Sequence, residues 1–437
     1  MKDLAKKVAV AVASGALLAQ SLVLPAFGEI NVIVSGNGSD SDNTVDIEQS
    51  QNTTVNQSNY ANISNDIYAK ADSGDNSVDD STGGDVEIDT GAASATVNVV
   101  NTVNSNEAVV NCGGCAPDLT VEISGNGDGS DNNVWYDYNQ EKGDSGTWVA
   151  QDNVAIVRND VEVRADSGDN SVDDSTGGDV KIDTGEAKAT ATITTSLNAN
   201  VAFVAGGNGG ALELKILGNG SDSDNEIDVE LSANTTLFQN NFAKVLNDVY
   251  VKADSGDNSV DDSTGGSVEI DTGAATAGAT VDTMANFNWA EVLDCCEFSG
   301  LIKIAGNGDE SDNEVETELA SSLFVTQDNV MSCKGFHFPG QDLFSRWFPW
   351  WGRDKDCNDV EAIADSGDNS IDDSTGSFDG DPTIDTGEAT TEVDVENAGN
   401  SNVFSTGDAF PTPPPAPWME GSWNLFVWLL TGSGHTS

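Results

Sequence analysis

Positive charge is scarce in this sequence. The 437-residue chain has 17 Lys and Arg side chains against 74 Asp and Glu, for a formal net charge of −57. The negative electrostatic field of such a chain repels nucleic acid and anionic lipid and attracts cations. The chain has two histidines, which argues against both a histidine-based catalytic triad and a histidine metal centre.

Helical periodicity is also missing after the N-terminal segment, and aromatic residues make up only 7% of the chain. So acidic a chain could be disordered. However, its hydrophobic residues, 37% of the total, alternate with polar ones. Alternation with period two, interrupted by Asn, Asp, Gly and Ser, is typical of strands joined by turns. The sequence therefore predicts an all-β protein.

One motif repeats four times. The run ADSGDNSVDDSTGG occurs unchanged at residues 71–84, 165–178 and 253–266, and with two changes at residues 364–377. Each copy precedes a short strand-like run that ends in IDTG. Turns of sequence GNG start at Gly36, Gly125, Gly218 and Gly306, so the period is about 90 residues. A fixed period of this kind indicates copies of one structural unit.

The apolar residues of each unit define one buried face. Val32 and Val34 flank Ile33 before the first GNG turn, and Val45 opens another alternating run after it. A third run follows each IDTG turn, with small residues first, as in Ala187, Ala189, Ala191 and Ile193. Such small inward residues favour a thin core between closely packed strands.

Two architectures fit this pattern. The expected one is a β-solenoid similar to a parallel β-helix, built from four repeats of about 90 residues. Each repeat would supply several coils of roughly 20 residues, which gives a shaft on the order of 90 Å long. The alternative is a string of β-sandwich domains, because a sandwich of this size also has six or seven short strands.

The predicted boundaries follow the repeats. Residues 1–28 read as a secretory signal with basic Lys2, Lys6 and Lys7 and small Ala26 and Gly28 before the cut, although an uncleaved membrane anchor is the alternative. The repeats are then residues 29–117, 118–210, 211–299 and 300–409. Residues 410–437 form a Pro-rich spacer and a Trp-rich tail.

The fourth repeat contains an insertion, residues 333–357, that concentrates aromatic and basic side chains. Stacked rings beside cations suit a sugar, a protein partner or a membrane interface. A small local core or a cap on the solenoid is the alternative. The candidate ligand-binding residues are Phe336, Phe338, Arg346, Trp347, Trp350, Trp351 and Arg353.

The six cysteines are even in number, as expected for disulfides in an exported protein. They are Cys112, Cys115, Cys295, Cys296, Cys333 and Cys357. The first four lie at equivalent turns between repeats, and the last two flank the insertion. A CxxC redox or zinc site is an alternative for Cys112 and Cys115, without a second CxxC to support it.

The Asp-rich turns are candidate Ca²⁺ sites, because calcium prefers six to eight oxygens from carboxylates and carbonyls on flexible loops. Their spacing matches neither an EF-hand nor a nonapeptide calcium repeat. Alternatively, the aspartates only form turns. The candidate ligands are Asp40, Asp42, Asp72, Asp75, Asp79, Asp80, Asp166, Asp169, Asp173, Asp174, Asp254, Asp257, Asp261, Asp262, Asp365, Asp368, Asp372 and Asp373.

The IDTG runs match the aspartic-protease signature at Asp89, Asp183, Asp271 and Asp385. A protease needs two such carboxylates facing each other, whereas four evenly spaced copies favour a structural turn. In that turn the Asp would bond backbone amides and the Gly would supply a positive φ. The sequence thus indicates no enzyme, and a polysaccharide-active enzyme is the less favoured alternative.

The order of GNG, SDN, SGDNS (residues 73–77) and TGAA or TGEA (from Thr90, Thr184, Thr272 and Thr386) resembles repeats in uncharacterised secreted proteins of ultra-small candidate-phyla bacteria. The resemblance implies a cell-surface role and no activity. We therefore expect a secreted structural or adhesive surface protein that self-associates in a fibre, layer or stalk. A lectin-like or host-binding adhesin that holds a glycan or protein through its aromatic insertion is the alternative.

Overall fold

A computed structural model describes residues 30–50, 52–112, 118–138, 146–206, 211–293, 299–332, 357–375 and 381–406. These residues form β-strands and turns, and none of them is helical. The all-β prediction is confirmed. None of the described residues belongs to a helix long and apolar enough to cross a membrane.

The strands recur in the same order in each repeat. The first repeat contains β1 (Ile30–Ser35), β2 (Asp42–Gln49), β3 (Asn52–Asp72), β4 (Ser77–Asp79), β5 (Val86–Thr90) and β6 (Ala93–Cys112). The second contains β7 (Leu119–Ser124), β8 (Asp131–Tyr138), β9 (Gly146–Asp166), β10 (Ser171–Asp173), β11 (Val180–Thr184) and β12 (Ala187–Gly206). The third contains β13 (Ala211–Leu217), β14 (Asp224–Asp254), β15 (Ser259–Val260), β16 (Val268–Thr272) and β17 (Ala275–Val292). The fourth contains β18 (Ser299–Ala305), β19 (Asp312–Ser332), β20 (Asn358–Asp365), β21 (Ser370–Ile371), β22 (Thr383–Asp385) and β23 (Ala389–Ser405).

Equivalent strands of successive repeats pair in parallel and in register. For example, β6, β12, β17 and β23 form one sheet, and β5, β11, β16 and β22 form another. The described residues form five sheets, each with strands from all four repeats, and the described strand pairs are all parallel. This solenoid-like stacking excludes four independent sandwich domains, because in the described part of the chain no repeat pairs its strands within itself.

One repeat therefore forms one layer of the stack, and the prediction of several coils of about 20 residues per repeat is wrong. Ile182 pairs with Ile88 on one side and Ile270 on the other, each one repeat away. The strands are too long for small coils, since β14 alone has 31 residues. Three spacings of about 4.8 Å place the first and fourth layers about 14 Å apart. The predicted shaft on the order of 90 Å is accordingly wrong.

The core lies between the long strands β3, β9 and β14 on one side and β6, β12 and β17 on the other. The predicted inward residues are confirmed: Ala189, Ala191 and Ile193 are fully buried, among alanines and valines of neighbouring layers. Small side chains fit here because the two facing sheets approach closely. Repeats 2 and 3, which have a layer on each side, bury this face most completely.

The two ends of the stack differ in how well their inward apolar residues are covered. In repeat 1, Val45 is 7% exposed and Val97 is 8% exposed. Their equivalents in repeat 4, Val315 and Val393, are both 48% exposed. Leu319 at the same end is 67% exposed although its neighbour in repeat 3, Leu231, is buried. The repeat-4 end thus presents an uncovered apolar edge.

Candidate functional site: the aspartate turns

The run ADSGDNS folds as a tight turn between a long strand and a short one in every layer. In repeat 2 the Asp166 carboxylate accepts a hydrogen bond from the Gly168 amide at 3.1 Å. The Asn170 side chain donates to the Ser167 carbonyl at 3.1 Å. Asp169 has a φ of 56°, a left-handed conformation that Asp tolerates better than most residues. The first two aspartates therefore have structural roles in the turn.

Stacking brings the same carboxylates together from layer to layer. Asp72, Asp166, Asp254 and Asp365 follow one another along the stack, because their strands pair in register. Partial burial is the main cause that raises the pKa of Asp166 to about 6, and the charges of Asp169 and Asp254 add to it. Burial is also the main cause that raises the pKa values of Asp169 and Asp257, and the charges of neighbouring aspartates add to it. These groups destabilise the folded chain when they are ionised.

We expect the chain to become more stable as the pH falls from 7 to about 4. A carboxyl whose folded pKa lies above its unfolded value binds protons more tightly in the folded state, so the free energy of unfolding falls as pH rises through that window. For Asp166 the penalty is complete above about pH 6 and absent below its ordinary pKa of 3.8. Thermal melts at fixed ionic strength should show a gain of about 3–6 °C.

Two substitutions make this pH prediction specific. Asp166→Asn keeps an oxygen for the Gly168 amide and removes the charge, so it should reduce the pH dependence. Asp179→Asn is the contrasting control, because hydrogen bonds from the Ser267 amide and hydroxyl lower the pKa of Asp179. It should leave the acid-induced gain intact. A wild-type melting temperature that falls between pH 7 and 4.5 would contradict the prediction.

The third and fourth aspartates of each motif form a separate, exposed row. Two clusters bring three carboxylates within 4.8 Å of one another: Asp79, Asp80 and Asp174, and Asp173, Asp261 and Asp262. Both clusters join neighbouring layers. The negative charge of Asp261 is the main cause that raises the pKa of Asp262, and Asp173 acts in the same way on Asp174. Carboxylates that repel each other at this distance are suitable oxygen ligands for a divalent cation.

The other candidate metal ligands have different positions. Asp40 lies in the exposed turn before β2, and Asp42 is the exposed first residue of that strand. Both lie outside the two three-carboxylate clusters. Asp40 has a φ of 57°, which fits a turn-forming role. Asp372 and Asp373 continue the exposed row in the last layer, where the Asp372 amide donates a hydrogen bond to the Val260 carbonyl at 2.8 Å. Cation binding by these aspartates stays a prediction.

Several predicted site residues lie outside the described part of the chain. These are the aromatic insertion residues Phe336, Phe338, Arg346, Trp347, Trp350, Trp351 and Arg353 and the cysteines Cys115, Cys295, Cys296 and Cys333. Cys112 ends β6, and Cys357 immediately precedes β20. The disulfides and the ligand-binding insertion therefore remain predictions.

The IDTG runs have a different geometry from the one predicted. Asp183 lies in β11 and its carboxylate accepts a hydrogen bond from Lys181 at 3.0 Å instead of from backbone amides. Gly185 does not have a positive φ. Glycine is needed here because a Cβ would lie 2.5 Å from the Ala92 nitrogen of the preceding layer. The four aspartates lie side by side along one parallel sheet, one in each repeat.

Sequence reasoning missed the buried asparagine ladders. Asn106, Asn200, Asn288 and Asn402 form one ladder, in which each side-chain amide donates to the next residue's oxygen at 3.0 Å. A second ladder, Asn59, Asn153, Asn241 and Asn329, runs beside it. Hydrogen bonds of 2.7–3.0 Å between side chains cross-link the two ladders. The recurrence of Asn at the same place in all four repeats was the signal available in the sequence. These amides hold the layers in register.

No known protein family, curated protein or solved structure matches this chain.

Proposed function

We propose that the chain is a secreted β-solenoid of four repeats that serves as a structural or adhesive component of a cell surface and is stabilised by divalent cations such as Ca²⁺. The observation that carries the proposal is the stacking of acidic turns, which places clusters of three carboxylates across adjacent layers. With a net charge of −57, the stack is under strong self-repulsion that bound cations would relieve. The signal-like N-terminus and the resemblance to surface repeat proteins support the location.

The internal order of the stack supports a mechanical role. Backbone ladders, asparagine ladders and close glycine contacts tie each layer to the next, so the molecule is rigid along the stacking axis. The clusters of three carboxylates are exposed rather than set in a pocket. A cation bound there would bridge two layers and stabilise their contact rather than take part in a reaction.

The test compares thermal unfolding in chelator and in Ca²⁺ at fixed ionic strength, followed by far-UV circular dichroism. We expect a gain of about 2–3 kcal/mol at a Ca²⁺ concentration near 100 times the dissociation constant. The triple variant Asp173→Asn, Asp261→Asn, Asp262→Asn should lose a large part of this gain. A wild-type melting temperature that Ca²⁺ does not change would mean that these aspartates only form turns. It would overturn the cation part of the proposal.

A matched control separates site binding from general screening. The triple variant Glu314→Gln, Glu316→Gln, Glu318→Gln changes the net charge equally, at exposed positions of β19 away from the turns. It should keep the full response to Ca²⁺. The surface role is tested separately, by antibody labelling and protease shaving of intact cells. A chain found only inside the cell would contradict that role.

A further inference from the structure

Each layer of the stack contacts its neighbours through glycines that leave no room for a side chain. A Cβ built on Gly74 would lie 1.9 Å from the Gly168 carbonyl oxygen, and Gly168 and Gly256 meet the next layer at 1.9 and 2.0 Å. These three glycines all face the following layer. They are required by the stacking itself, because such a distance is far below van der Waals contact.

The fourth glycine of this row has no layer to face. A Cβ on Gly367 would meet only a side-chain oxygen of its own turn, that of Asp365, at an ordinary 3.6 Å. At the opposite end, Gly185, Gly273 and Gly387 face the preceding layer at 2.3–2.5 Å, while a Cβ on Gly91 would have nothing within 4 Å. Neither Gly367 nor Gly91 has a positive φ. Within the described residues, then, nothing requires a glycine at position 367 or at position 91.

The side-chain ladders also end with complementary groups. Asn76, Asn170 and Asn258 each donate to the oxygen of the next asparagine at 2.9 Å. Asn369 at the repeat-4 end uses one amide hydrogen on the Ser366 carbonyl. The second amide hydrogen of the Asn369 side chain has no acceptor among the described residues. The Asn76 oxygen at the repeat-1 end likewise accepts no hydrogen bond from them. One end offers a donor and the other an acceptor in the same geometry.

The apolar edge of repeat 4 completes the pattern. Val315, Leu319 and Val393 are about half or more exposed, whereas the same positions inside the stack are buried by the following layer. An edge strand with unpaired backbone groups and apolar side chains is a template for another strand. A further parallel layer with the repeat sequence would pair its backbone, bury these side chains and fit against Gly367.

We propose that a second copy of this chain occupies the repeat-4 edge with its own repeat-1 edge, so that the stack continues from molecule to molecule. The contact is heterologous, and its repetition gives an open filament rather than a closed ring. Asn369 of one copy donates to Asn76 of the next. Four layers per molecule give an axial repeat of about 19 Å. This inference rests on the proposed structural role and names the partner and the surface that serve it.

Charge controls this contact. Joining two copies places Asp72 and Asp75 of one molecule one layer from Asp365 and Asp368 of the other, and like charges at this spacing repel. The edge strand β19 adds exposed Glu314, Glu316 and Glu318. We therefore expect the isolated chain to remain monomeric at low ionic strength and to assemble when Ca²⁺ or concentrated salt screens the repulsion.

The experiment uses the chain without residues 1–28, at low salt, in excess Ca²⁺ and in about 1 M NaCl, where the Debye length is about 3 Å. Sedimentation velocity and negative-stain electron microscopy report assembly. Gly367→Val blocks the repeat-4 edge and Gly91→Val blocks the repeat-1 edge, and each variant alone should stay monomeric under all conditions. Gly278→Val is the control, since its Cβ would lie 3.8 Å from Thr190 on the outer face, and it should assemble like the wild type.

Mixing the two blocked variants gives the decisive result. Gly91→Val retains a free repeat-4 edge and Gly367→Val a free repeat-1 edge, so an equimolar mixture should stop at dimers with one copy of each. Unchanged circular dichroism and melting temperature confirm that each variant folds. Filaments formed by either variant alone, or a wild type monomeric in every condition, would overturn the inference. The Ca²⁺ effect on the melting temperature is measured in the same samples, so a monomer stabilised by Ca²⁺ would refute stacking and leave the proposed cation role standing.

Discussion

Gly168→Ala should destabilise the chain by about 4 kcal/mol or more, although it adds a single methyl group. The new Cβ would lie 1.9 Å from the carbonyl oxygen of Gly256, and that oxygen belongs to a backbone that cannot move without separating two layers. Losses of this size come from a short list of causes, and steric conflict with a fixed backbone is one of them. Chemical denaturation of the purified chain measures the loss.

The same chain provides a matched control for Gly168→Ala. Gly367 occupies the same place in the same motif, but it has no layer beyond it. Gly367→Ala should therefore change the free energy of unfolding of the monomer by less than about 0.5 kcal/mol. Equal losses in both variants would mean that the glycines serve the turn conformation of the motif rather than the contact between layers.

The second large effect is expected for Asn200→Leu. Asn200 is fully buried, donates to Asn241 and Asn288 at 3.0 Å, and accepts from Asn106 and Asn153 at 3.0 and 2.8 Å. Leucine has a similar volume but leaves four neighbouring amides each short of one hydrogen bond. An unsatisfied buried polar group costs about 1–3 kcal/mol, and a connected network amplifies the loss. We expect a total of roughly 4–6 kcal/mol in urea denaturation.

Asn402→Leu tests whether the burial of Asn200 is the reason for the large loss expected in Asn200→Leu. Asn402 ends the same ladder, accepts from Asn288 and Asn329 at 3.0 and 2.7 Å, and is exposed to solvent. Water can replace the lost partner there, so the expected loss is only about 1 kcal/mol. If the two variants lose the same free energy, the ladder contributes through its bonds alone and its burial is unimportant.

The strands and their inward faces could be predicted from the sequence, because period-two alternation depends only on local geometry. The size of the layer could not. Asn59 and Asn104 lie in Asn-rich stretches, and Asn is also a common turn residue. In the structure Asn59 lies within the long strand β3. Asn104 has a φ of 61° within β6, and its side chain donates to Asn198 of the next layer at 3.0 Å. Asparagine suits both turns and stacked ladders, and only the neighbouring repeat distinguishes them.

The candidate site was predictable to a similar extent. The aspartate runs were expected to be turns, and the structure confirms turns at Asp169 and Asp174, each with a positive φ. The sequence could not tell that Asp173 would lie against Asp261 and Asp262, which are 88 and 89 residues later. Such proximity is set by the register between layers, and no spacing within one repeat encodes it.

The separation of about 90 residues between paired strands has a consequence for how the chain folds. Relative to 437 residues it corresponds to a contact order of roughly 0.2, in the range of domains that fold over milliseconds to seconds. At a synthesis rate of about 5–20 residues per second, each repeat is complete several seconds before the next one. Until the second repeat has been synthesised, the first repeat has no strand to pair with. Its dense negative charge repels the unpaired strands of other nascent chains during this time.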